Sequence, residues 1–200
     1  MTDKLKLAVF ASHGGSNLQS IIDASRDPDF PAEVALVVSN NLKAFALTRA
    51  GKAGIPTVVW QKKKFADAKA YVDFILEKLR EHGIDLICLA GYMKLIPSEL
   101  IRQYRIINIH PALLPKYGGK GMYGIHVHEA VLEAGEDATG VTIHQVNEKY
   151  DQGKILNSCQ VAVSPDDNPE SLQKKVLEFE HKLYPETIAK IAKGEITLDE

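Results

Sequence analysis

Cysteine is scarce: Cys88 and Cys159 are the only two, each set in an apolar run and neither in a Cys-x-x-Cys spacing. A disulfide scaffold and a thiolate metal knuckle are excluded, and both side chains read as buried thiols of a reducing compartment. No apolar run approaches the roughly 20 residues that cross a bilayer, and no secretory leader precedes the first, Leu5 to Ala11. A cytoplasmic chain without a membrane partner is therefore expected. An excess of either charge is missing too. With 24 Lys+Arg against 26 Asp+Glu, the net charge of −2 makes no electrostatic case for nucleic acid. Repeats, low-complexity tracts and linkers are absent, so residues 1–200 are expected to form a single domain.

What is present is alternation of short apolar runs with helical spacing. Leu5 to Ala11, Val34 to Ser39, Thr57 to Trp60, Leu86 to Ala90 and Ile106 to Ile109 read as strands. Between them LQSIIDAS, Ala44 to Ala53, Ala66 to His82 and a short segment capped by Ser98 read as helices. This order predicts an α/β fold with a doubly wound, mostly parallel sheet. The second half differs. His126 to Glu133 is helical, and Thr139 to Val146 with Ile155 to Val163 form a hairpin-like C-terminal strand pair. Asn168-Pro169 then starts a long last helix with Leu172, Val176, Phe179 and Leu183 along its buried face.

Ser12-His13-Gly14-Gly15-Ser16-Asn17 joins the first strand to the first helix, where backbone amides and the helix dipole favour an anion. It is not the dinucleotide fingerprint, since the third glycine is missing, and Ser39-Asn40-Asn41 lacks the acidic residue that would hold a ribose hydroxyl. A nicotinamide oxidoreductase is thereby disfavoured. At the end of the fifth strand Asn108 and His110 alternate, so both project from one face, and His110 and Pro111 stop the ladder. An amide beside an imidazole there lies where open α/β sheets bind ligands. A polar strand end capped by turn residues, or a non-catalytic ligand-binding module, would show the same local spacing. Asp151, in a glycine-flanked loop, would by itself be an ordinary turn aspartate.

Five motifs decide between these readings: GGSNLQSII, LAGYMKLI, NIHPALLPKY, GVTIHQVNEKYDQG and FEHKLYP, in that order over most of the chain. Together they resemble the phosphoribosylglycinamide formyltransferases, folate-dependent enzymes of purine synthesis with a Rossmann-like formyltransferase fold. The resemblance implies transfer of a formyl group from 10-formyltetrahydrofolate, as co-substrate, to the amine of glycinamide ribonucleotide. It implies Asn108, His110 and Asp151 as catalytic residues. Gly15, Ser16 and Asn17 match the family's phosphate loop, and Glu180 its ribose-binding glutamate. Met93, Lys94, Leu95 and Ile96 match the loop that touches the pteridine. Family members commonly carry an arginine where Ala68 stands here, and Lys69, with Lys62 to Lys64 and Lys120, is expected to meet the anionic folate tail instead. Methionyl-tRNA formyltransferases and formyltetrahydrofolate hydrolases share the machinery, but carry extra domains for which this length leaves no room.

The chemistry suits those residues. Amine attack on the formyl carbon makes a tetrahedral species with a negative oxygen, for which the Asn108 amide is a donor worth about 3–4 kcal/mol in comparable sites. A protonated His110 is a second donor and passes a proton towards the departing folate nitrogen. Its ordinary pKa of about 6.5 leaves it partly protonated, so a carboxylate such as Asp151 helps. His126, His128 and His144 suggest a metal, yet no further ligand stands at characteristic spacing, and no metal is expected. His144 instead shares a strand face with Thr142 and is expected near Asp151. Oligomeric state is not legible, because an interface stripe reads like core, and a homodimer is compatible with the chain.

Overall fold

The computed structural model describes residues 4–199. Its strands are β1 (Leu5–Phe10), β2 (Ala32–Ser39), β3 (Thr57–Val59), β4 (Leu86–Leu89), β5 (Arg105–His110), β6 (Ala138–Gln145) and β7 (Ile155–Ala162). Its helices are α1 (Ser16–Ala24), α2 (Phe45–Lys52), α3 (Ala68–Glu81), α4 (Ser98–Gln103), α5 (Ile125–Glu133) and α6 (Pro169–Ala192), with one 3-10 turn at Lys62–Lys64. The strands form one seven-stranded sheet in the order β3-β2-β1-β4-β5-β6-β7. β1 to β5 are mutually parallel, while β6 is antiparallel to β5 and β7 to β6.

Alternation along β1 shows why the apolar runs are continuous. Leu7 and Val9 join Leu18 and Ile21 of α1, Ala50 of α2 and Val176 of α6 in one core, while Ala8 and Phe10 join Ile75 and Leu79 of α3 in the other. Both faces of the sheet are covered, so both sets of side chains must be apolar. Two helix starts are set by side-chain caps. Asp67 Oδ1 accepts from the Ala70 amide at 2.8 Å to start α3, and Asn168 and Ser171 form a reciprocal capping box ahead of α6. The order turns back between β1 and β4, which opens a crevice at the carboxyl ends of these strands.

Four local expectations are corrected. Ser98 is the first residue of α4 and caps nothing; Pro97 occupies the cap. His110 does not stop β5 but is its last residue, paired with Thr142, and Pro111 ends the strand. Cys159 is only half-buried, because it lies on the outer strand β7. On α6 the buried stripe runs Leu172, Val176, Glu180, Leu183, whereas Phe179 is 38% exposed. Either residue fits the helical period, and the inward position went to the glutamate because it has a hydrogen-bond partner there.

Candidate active site

The carboxyl ends of three neighbouring strands, β1, β4 and β5, deliver the site. The loop after β1 carries Gly15, Ser16 and Asn17, the segment after β4 carries Met93 to Ile96, and the end of β5 carries Asn108 and His110. All of them, with Asp151 and Glu180, line one cavity of about 760 Å³. The antiparallel β5–β6 pairing sets His144 opposite Asn108 and Thr142 opposite His110. Beyond β6 the chain turns through Asp151, whose φ of 53° lies in the left-handed region that aspartate tolerates. Gly153 fixes this turn against the sheet, since a Cβ there would fall 1.6 Å from the Gln145 carbonyl oxygen. Asp151 is thereby held against both histidines, with Oδ2 3.8 Å from His110 Nδ1 and Oδ1 3.4 Å from His144 Nε2.

Hydrogen-bond partners assign the imidazole protons. His110 Nε2 is 2.8 Å from the Tyr117 carbonyl, which only accepts, so Nε2 carries hydrogen and Nδ1 is left facing Asp151. His144 Nδ1 donates likewise to the Gln145 carbonyl at 3.0 Å. His144 Nε2 lies 3.1 Å from Asn108 Nδ2 as well as 3.4 Å from Asp151 Oδ1, and of the two hydrogens on the Asn108 amide at least one remains for a ligand oxygen. The Gly119 amide donates to Asp151 Oδ2 at 2.8 Å and secures the glycine-rich loop of residues 117–124 to the same carboxylate. The Tyr117 carbonyl, the Gly119 amide and the His144–Asn108 bond were not legible in the sequence; strand pairing brings the last together, and the fold of the loop after β5 the other two.

Burial and charge set the protonation states. Burial lowers the His110 pKa below its ordinary value, against the opposing pull of Asp151 and the Tyr117 carbonyl. Burial pushes the Asp151 carboxyl up, but His144, the Gly119 amide and His110 override it and leave it below the ordinary carboxylate value. His128 lines the same cavity and is brought down to about 4 by burial and by the neighbouring His110, so it is neutral at neutral pH. Glu180 is pushed up to about 7 by burial, opposed by a 2.6 Å hydrogen bond from Asn17 Nδ2. Among the described residues no group of three or more His, Cys, Asp or Glu side chains could hold a metal ion.

Residues 5–188 match the family model described as formyl transferase. The chain belongs to the formyl transferase family. A relative from Arabidopsis thaliana, the chloroplastic phosphoribosylglycinamide formyltransferase, is 46% identical over 194 residues. That match covers 96% of this chain and 66% of the plant protein, so the chain spans just under two thirds of that relative. The phosphoribosylglycinamide formyltransferase of Haemophilus influenzae is 38% identical, with 96% of this chain and 90% of the relative covered. The crystal structure of glycinamide ribonucleotide transformylase 1 from Symbiobacterium toebii superposes with a TM-score of 0.91 at 33% identity, covering 100% of this chain and 92% of that one.

Within this formyl transferase fold one proposed ligand stands apart. Lys69 does not line the main cavity; with Lys62 and Lys63 it borders an adjoining groove that shares the Met93 to Ile96 wall. Its ammonium is paired with Asp73 one helical turn along α3. Lys94 lines both spaces and Lys120 only the cavity. No helix among the described residues is long and apolar enough to cross a membrane.

Proposed function

We propose that this chain, acting as a single formyltransferase domain, transfers the formyl group of 10-formyltetrahydrofolate to the amine of glycinamide ribonucleotide. The carrying observation is that one cavity is lined both by the loop Gly15 to Asn17 and by Asn108, His110 and Asp151. The phosphate rests on the amides of Gly15, Ser16 and Asn17 at the start of α1, and the ribose hydroxyls on Glu180. The pterin lies along Met93, Lys94, Leu95 and Ile96. Attack forms the new C–N bond and makes the formyl oxygen an oxyanion, which takes the free hydrogen of the Asn108 amide. One proton must then move from the attacking nitrogen to the folate nitrogen, whose bond to carbon breaks. His110 Nδ1 is the carrier, since Nε2 is committed to Tyr117, and Asp151 stabilises the transient imidazolium. The test is an absorbance assay of purified protein with both substrates. Turnover is expected, and none in protein shown to be folded would overturn the proposal.

The anion loop has its own test. Gly15 has φ of 68°, and a Cβ there would meet Ala46 Cβ at 2.7 Å, so any side chain displaces the loop from α2. Gly15→Ala is expected to raise the KM for ribonucleotide at least about ten-fold while the folate KM stays within a few-fold, as loss of hydrogen bonds to a charged ligand implies. Equal weakening of both substrates would argue against a phosphate loop.

Glu180 carries a cost that a ribose-binding role explains. Its folded-state pKa lies at about 7 against an ordinary 4.5, so the fold favours the neutral form. The penalty is absent below the unfolded value, grows as pH rises towards 7, and is complete above it. At about 1.4 kcal/mol per unit it reaches on the order of 3 kcal/mol. Glu180→Gln is expected to raise the melting temperature clearly at pH 8 and hardly at pH 5, while weakening ribonucleotide binding. A stability change equal at both pH values would remove this account of Glu180.

A further inference from the structure

The carbonyls of the anion loop are tied off one after another. Asn41 Nδ2 donates to the Ser12 carbonyl at 3.2 Å, and the Ala46 amide to that of His13 at 3.1 Å. Arg49 Nε donates to the Gly14 carbonyl at 2.8 Å, and the Gln19 amide to that of Gly15 at 3.0 Å. In a trans peptide the C=O and the following N–H point in opposite directions, so each tether aims the next amide the other way. The amides of Gly14, Gly15 and Ser16 accordingly find no acceptor among the described residues, and all three residues line the cavity.

Among these tethers Arg49 brings a charge. Its Nη1 also donates to Gln19 Oε1 at 3.0 Å, and its guanidinium sits 5.0 Å from the centre of the Phe45 ring. The planar group is thus braced on several sides, which a lysine could not reproduce. A cation on the Gly14 carbonyl polarises the Gly14–Gly15 peptide and makes the Gly15 amide a stronger donor. Burial, and after it the Arg49 charge, keeps the neighbouring His181 below its ordinary pKa, so His181 adds no charge there.

We propose that Arg49 is a positioning residue for the ribonucleotide phosphate: it holds and polarises the Gly14–Gly15 peptide without touching the ligand. This rests on the reading of Gly15 to Asn17 as the phosphate loop. The test compares Arg49→Met and Arg49→Lys with the parent in steady state, with inorganic phosphate as inhibitor competing against ribonucleotide. Arg49→Met is expected to raise the ribonucleotide KM and the phosphate Ki together by about ten-fold, with kcat and folate KM within about two-fold. Arg49→Lys, which can reach Gly14 but not Gln19 as well, is expected to recover part of the loss. Ribonucleotide KM and phosphate Ki both within about two-fold of the parent, or a folate KM rising in step, would overturn the proposal. Should Arg49→Met fail to fold, Gln19→Leu releases the brace and is expected to move the same two constants the same way; no movement overturns it. Gly15→Ala separates the two levels. If it raises the ribonucleotide KM and Arg49→Met does not, only Arg49 loses its role; if neither does, the phosphate loop itself is withdrawn.

Discussion

His110→Ala is expected to lower turnover by about 10²–10⁴-fold, the range for a lost proton carrier. The structure adds a stability cost. His110 is 4% exposed, and its removal leaves the Tyr117 carbonyl without a donor. Because Tyr117 is only half-buried, the unsatisfied carbonyl costs at most about 1–3 kcal/mol, which in a chain of this size lowers Tm by no more than several degrees without preventing folding. Circular dichroism, a melting curve and single-turnover kinetics on the same sample separate the two effects. Turnover within a few-fold of the parent in the folded variant would sink the assignment of His110 as carrier.

Asp151→Asn should give the second largest loss, and through charge alone. Asparagine tolerates the same left-handed backbone, and its amide oxygen can still accept from the Gly119 amide. What disappears is the negative charge 3.8 Å from His110 Nδ1. Burial already lowers the His110 pKa and Asp151 opposes it, so the neutral side chain lets the pKa fall further and leaves the transient imidazolium without support. A fall in kcat on the order of 10²-fold or more is expected, with ribonucleotide affinity within a few-fold of the parent. The pH profile discriminates: a carrier acting through Asp151 shifts its acidic limb to lower pH. Collapsed binding with an unchanged rate per bound substrate would make Asp151 structural instead.

The α/β architecture was legible because burial on both faces of a parallel sheet leaves its mark on every strand, as Leu7 to Phe10 and Leu86 to Leu89 show. Motifs at strand ends and helix starts were legible for a similar reason. Glycine, proline and asparagine do their work within a few residues of themselves, so Gly14-Gly15 and Asn168-Pro169 mark their turns directly. Phe179 is exposed although periodicity favours it, because α6 turns the neighbouring Glu180 inward to meet Asn17. For Lys69 the sequence offers a cation and a position along the chain, whereas its pairing with Asp73 is a contact of the folded helix.

The sequence by itself therefore determined the layered fold, the family and the residues offered for chemistry, since these depend on local backbone rules and burial periodicity. Only the tertiary structure decided their states. The antiparallel register of β6 on β5 joins His144 to Asn108, the glycine-locked turn after β6 brings Asp151 to both histidines, and α2 ties the anion loop's carbonyls away from the cavity. Each of these joins residues far apart in the chain. Protonation, tautomer and amide direction follow from distances across such contacts, and electrostatics inside a protein depends on distance and burial, not on order along the chain.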